Sequence, residues 1–172
     1  KLAFNAFPAT ISEDMWTHQY VQQVNQISCK IMDGEKSPIF TTNNHEAHIF
    51  GLEPNFGCCA ANMGQAFPKF TLSTYYHNEN GIYVAAIAPA SLKTEVNGVK
   101  VEILCDTKYP FEDTVRYQVN CEKPVEFALY LRIPEKAKKA WVNGAEVNSG
   151  EFYEIHQVWN KQEIVLEMEM EA

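Results

Sequence analysis

Long basic runs are absent from this chain: 14 lysines and arginines stand against 22 aspartates and glutamates, a formal charge of −8. That balance disfavours tracking of phosphate backbones or anionic headgroups, so neither nucleic acid nor a membrane is an expected partner. No apolar run reaches the ~18–20 residues of a transmembrane helix. Internal repeats, low-complexity tracts and a visible signal peptide are also missing, and a cytoplasmic location is expected. Cysteine is sparse and odd in number: Cys29, Cys58, Cys59, Cys105 and Cys121. Such a set fits a reducing compartment better than a disulfide framework. A capping residue is lacking at the start, where KLAFNAFPATI sets Leu2, Phe4, Ala6 and Phe7 in an apolar run. It reads as a helix entered mid-course, and so as part of something longer.

What is present suits one ordinary domain or two small ones: 172 residues, 46% of them hydrophobic. The text changes character near residue 80. Before it, the pattern predicts a helix end at 1–7 and a short helical turn over 11–17, with Thr10 and Glu13 at capping-box spacing. A long loop over 35–57 and a helix from Cys58 to about Tyr75 follow, the helix weakened by Gly64 and Pro68. From residue 81 the text is β. Asn97-Gly98 and Asn143-Gly144, each between strand-like runs, signal hairpins. Val125, Phe127, Leu129, Leu131 and Ile133 alternate with more polar neighbours, as do Ile164, Leu166 and Met168. Both sets predict half-buried strands facing one core. The expected fold is mainly β, an antiparallel β-sandwich over 81–172 preceded by a helix-and-loop segment over 1–80. Cys105 and Cys121 fall in strand text as small buried hydrophobes. Trp16, Trp141 and Trp159 are expected to anchor a core or an interdomain contact, the alternative being to stack on the ring faces of a ligand.

The chemistry-bearing stretch is NFGCCAANMGQAF at 55–67. It sets Cys58 and Cys59 beside Gly57 at the start of a predicted helix. Unpaired backbone N–H groups and the positive end of the helix dipole favour the thiolate there, the form that attacks carbon or binds metal. Adjacent cysteines cannot by themselves complete a tetrahedral zinc site, so further ligands would have to come from elsewhere. The alternative is an inert vicinal pair. Upstream, His45 and His48 in HEAH lack the His-x-x-x-His spacing of a helical zinc motif. They could line a pocket mouth or simply pack the loop. Glu53 could orient a ligand hydroxyl or cap the helix. Glu13 and Asp14 beside Trp16 do not face one another on a helix, and a solvated or capping role is expected of them.

FPATISEDMWTHQYVQQVNQ, GLEPNFGCCAANMGQAFPKF and DTKYPFEDTVRYQV, with FALYLRIP and WVNGAEV after them, resemble in this order the distal part of one family. It is the cysteine-dependent β-L-arabinofuranosidase family, glycoside hydrolase family 127, and the resemblance spans nearly the whole chain. Its most specific part is CCAAN, ending at Asn62. The resemblance implies a retaining glycosidase with an (α/α)6 barrel followed by β-sandwich regions, residues 1–80 being the barrel's distal remnant. It implies Cys58 as the nucleophile, held as a zinc thiolate, and Cys59 as a second zinc ligand. A glutamate, a cysteine and the acid/base carboxylate would come from the barrel preceding Lys1. Cys29 stands too near the pair for that upstream cysteine and is expected to be structural. The implied substrate is an arabinose-containing glycan or glycoside, and the implied cofactor is Zn2+. The chain by itself is expected to be inactive. It departs from the family pattern at Ala60 and Ala61, where relatives carry prolines, and at Phe56-Gly57, where a further cysteine is usual. These departures point to a divergent branch. The competing expectations are a non-catalytic carbohydrate-binding sandwich, with exposed aromatics on one sheet face, and a purely structural one.

Overall fold

The computed structural model describes residues 6–20, residue 50 and residues 57–170, with the backbone alone for 57–60. The chain divides into two compact units, Lys1–Phe70 and Thr71–Ala172.

In the first unit a short helix, α1 (Phe7–Ala9), carries Pro8 in its opening turn. It ends where the Thr10 hydroxyl donates to the Phe7 carbonyl at 2.9 Å. Thr10 therefore closes a helix instead of opening one, and the expected capping box with Glu13 does not form. The helical turn expected over 11–17 is also replaced. Ile11 and His18 form an antiparallel bridge, and the chain between them is a tight loop. Its cause lies in short polar side chains that offer the backbone a substitute for helical bonds. The Ser12 hydroxyl donates to Asp14 Oδ1 at 2.6 Å. The same carboxylate accepts the Trp16 N–H at 3.1 Å, and the Thr17 N–H donates to Ser12 Oγ at 2.9 Å. The long helix, α2 (Gly57–Leu72), contains Pro68. Its residue Phe67 meets Phe7 edge to face, with ring centroids 5.7 Å apart.

The second unit is one curled sheet of eight strands: β1 (Tyr75–Asn78), β2 (Gly81–Val84), β3 (Ala90–Val96), β4 (Val99–Thr107), β5 (Thr114–Arg132), β6 (Ala137–Val142), β7 (Ala145–Val147) and β8 (Phe152–Met170). β5 and β8 form its spine, antiparallel along their length, with a register shift between Asn120 and Val125. One edge of β5 pairs with β4 through Val115–Cys121 and then with β2 through Ala128–Leu131. On the far edge of β8 lies β6, followed by β7.

Val115, Tyr117, Val119, Cys121, Val125, Phe127, Leu129 and Leu131 of β5 are all buried. A strand that turns one face inward over this whole length requires the sheet to curl around its own core. On β8 the inward set passes from Trp159 to Ile164, Leu166 and Met168, all buried. The parity changes where the register shifts. Trp159, fully buried, stacks on Phe127 at 5.5 Å and donates its indole N–H to the Phe127 carbonyl at 2.9 Å. Both Asn-Gly hairpins form, β3–β4 with φ of 51° and 74°, β6–β7 with φ of 50° and 81°. Positive φ at both central residues is the backbone that matches the strand twist.

The expectation of a purely antiparallel sheet needs correction, because β2 and β5 run parallel. Gly81 is the local reason they can. Its φ is +145°, and a Cβ there would run into the Ala128 carbonyl oxygen. Only a residue without a side chain lets the two backbones approach so closely.

Candidate functional site

The cysteine pair lies in the first turn of α2, as the second and third residues of a helix that starts at Gly57. The first backbone N–H groups of a helix have no intrahelical acceptor, and this turn contains no acidic residue. The local field therefore favours an anion such as a thiolate at these positions. Two thiol-bearing residues are a soft donor set that suits zinc, which takes four ligands; two more would complete it. Among the described residues, no group of three or more histidine, cysteine, aspartate or glutamate side chains gathers as a metal site. Glu53, His45, His48 and Cys29 lie outside the described residues.

Cys105 and Cys121 are buried free thiols on β4 and β5, as their strand text implies. Burial pushes the Cys105 thiol up to about 11, against a helping hydrogen bond from Tyr117. Near it stand Tyr75 and Tyr117, both raised well above the usual phenol range by burial first and by the charge of Cys105 second, Tyr117 also by that of Tyr75. The Tyr75 hydroxyl is buried without a hydrogen-bond partner. Neither thiol is poised for nucleophilic work.

The three tryptophans divide. Trp159 is a core anchor, as expected, and Trp141 is half-buried. Trp16, at 73% exposure, anchors no core among the described residues. The turn that replaces the expected helix holds it out: Asp14 fixes its backbone N–H, and Met15 before it adopts a φ of 61°. Beside it a groove of about 290 Å3 runs between the Ile11–His18 loop and α2, lined by Trp16, His18, Met63, Gly64 and Phe67 among others. Met63 and Phe67 follow Cys59 at helical repeats of four residues, so the groove lies on the same helix face as that position. His18 is 8% exposed, and its Nε2 is shielded with no hydrogen-bond partner. The sequence reading missed this groove, because its walls come from segments some fifty residues apart, and Thr10 reaching Met63 is the sort of contact that spacing cannot reveal.

Comparison with known proteins places the sheet first. The family model described as β-L-arabinofuranosidase, GH127 middle domain, matches residues 81–170, from the start of β2 to the end of β8. No curated protein matches the chain. Among solved structures, a protein titled glycoside hydrolase is similar over 98% of this chain, at 23% identity and a TM-score of 0.72. A GH127 β-L-arabinofuranosidase from Geobacillus stearothermophilus T6 is similar over 95% of it, at 22% identity and a TM-score of 0.60. A GH127 β-arabinofuranosidase is similar over 65%, at 19% identity and a TM-score of 0.54. The chain spans 28%, 26% and 21% of these three proteins. At such identities the likeness concerns the fold alone.

Proposed function

The chain belongs to glycoside hydrolase family 127, and on that premise we propose that it carries the nucleophile segment and the following β-domain of a zinc-dependent retaining glycosidase. Cys58 is the nucleophile of this reading, Cys59 is a zinc ligand, and the substrate is an arabinose-containing glycan or glycoside. What supports it is the position of the pair in the first turn of α2, in a chain of this family.

Retention requires two displacements at one carbon. The Cys58 thiolate attacks the anomeric carbon, the bond to the leaving oxygen breaks, and a carboxylic acid from the barrel protonates that oxygen. Water, deprotonated by the same carboxylate, then attacks the anomeric carbon, the C–S bond breaks and the thiolate is restored. When bound, zinc supplies the deprotonation of the thiols at neutral pH and makes Cys58 a better leaving group. The fold's part is to hold the pair where helix N–H groups favour the anion.

The test uses the protein in which this chain is active. Cys58→Ser is expected to abolish turnover with the fold intact, because a serine hydroxyl is a poor nucleophile without a strong base. Cys59→Ser is expected to lower both zinc content and activity, and excess zinc is expected to restore part of each. Metal analysis beside kinetics separates the two variants. Near-normal kcat in Cys58→Ser would show the pair to be structural.

A further inference from the structure

We propose that the groove between the Ile11–His18 loop and α2 is a saccharide-binding subsite, with Trp16 as its stacking platform and His18 Nε2 as a hydrogen-bonding partner for a sugar hydroxyl. The proposal rests on the glycosidase reading above and adds residues to it that the nucleophile does not require.

Three observations converge on it. A tryptophan side chain exposed at 73% forfeits most of the stabilisation its burial would bring. Here the exposure is enforced: the Asp14 carboxylate ties the Trp16 N–H and the Ser12 hydroxyl into one turn, and Met15 takes a left-handed φ of 61° that a non-glycine residue seldom adopts. Second, His18 lines the same groove, is more than nine-tenths buried, and leaves Nε2 without a partner. A shielded ring nitrogen without a bond is costly and calls for a ligand. In either tautomer Nε2 has one bond to give, and a hydroxyl can answer as donor or acceptor. Third, a Cβ added at Gly64 would meet nothing within 4 Å, so the wall on α2 is open where a larger residue would close it.

The lining selects the ligand class. An indole, the thioethers of Met15 and Met63 and the Phe67 ring offer apolar faces to C–H groups, while Thr17 and His18 supply polar contacts. That mixture of aromatic surface with a few hydrogen-bonding groups suits a neutral ring bearing hydroxyls. Among the described residues no lysine or arginine lines the groove, and the chain's charge of −8 disfavours an anionic ligand. About 290 Å3 is at the small end for ligand pockets and fits one sugar unit rather than a chain. Because Met63 and Phe67 lie on the helix that begins with the cysteine pair, a sugar here would sit along the same helix face as Cys59.

The experiment uses the active protein and an aryl β-L-arabinofuranoside. Trp16→Ala, His18→Leu and Gly64→Leu are each expected to raise KM by about 10-fold or more and to act on KM before kcat. Phe111→Ala, an 89% exposed aromatic in the other unit, is the control expected to change neither. Since His18→Leu alters a buried residue, Gly64→Leu and Trp16→Ala carry the test if that variant loses its fold by circular dichroism. In a Cys58→Ser background the glycoside is expected to change tryptophan emission, and Trp16→Phe to remove that change. Turnover with unaltered KM in Trp16→Ala and Gly64→Leu would overturn the subsite while leaving the nucleophile intact. A Trp16-dependent emission change in a protein whose Cys58→Ser variant keeps near-normal kcat would do the reverse.

Discussion

At the scale of single residues, cysteine shows how far environment decides what one side chain does. Cys58 and Cys59 stand in a helix's first turn, whose N–H groups favour a thiolate. Cys105 stands in the core, where burial drives the same group the other way, up to about 11. A thiol whose pKa rises on folding stabilises the fold fully below its unfolded value of about 9. That contribution fades as pH climbs through about 11, since only the unfolded chain gains by ionising in between. Tyr75 and Tyr117 shift in the same direction, so their stabilisation also fails on the alkaline side. Denaturant midpoints measured from pH 8 to 11 are therefore expected to fall, and to fall less steeply in Cys105→Ala. An identical slope in that variant would remove the thiol from the explanation. The burial of Cys105 and Cys121 is visible in alternating strand text, and the start of a helix at CCAAN is visible in the residues around it. The groove around Trp16 and His18 is not, since the Ser12 and Asp14 side-chain bonds that turn Trp16 outward outcompete the helical pattern written over 11–17.

Elements form where local signals agree with one another. Both Asn-Gly turns, the alternation through Val125–Ile133 and that through Ile164–Met168 survive into the sheet because turn chemistry and burial point the same way. Two features stay hidden in the text. The alternation that begins at Val125 reads as a strand of its own but belongs to one strand of 19 residues, Thr114–Arg132, continuous across Pro124. The parallel partnership of β2 with β5 depends on a chain crossing, which no local period records. Gly81 is its test. Gly81→Ala forces a Cβ against the Ala128 carbonyl oxygen at a φ of +145°. A loss of roughly 1–3 kcal/mol is expected from strain of this kind, measured by urea unfolding. Gly98→Ala, where a Cβ meets nothing within 4 Å, is expected to cost less, since only the φ of +74° opposes it. Equal losses in the two would mean that the close strand approach carries no special weight.

For the whole molecule, a core lined by one face of β5 and β8 makes the β-unit a single cooperative body. The family model matches that body over 81–170, whereas the proposed nucleophile lies in the other unit. The chain also spans about a quarter of its solved relatives. Purified residues 1–172 are therefore expected to show no turnover of an aryl arabinofuranoside; measurable hydrolysis would mean that this chain holds every group the reaction needs. The shared spine has a further consequence in the order of synthesis. β5 leaves the ribosome with one edge promised to β8, whose last residues come some forty positions later. Until then Phe127, Leu129 and Leu131 have no roof and β5 offers a long open edge to any other nascent strand. Chains stopped before Phe152 are accordingly expected to pellet in a translation lysate, whereas chains reaching Met170 remain in the supernatant.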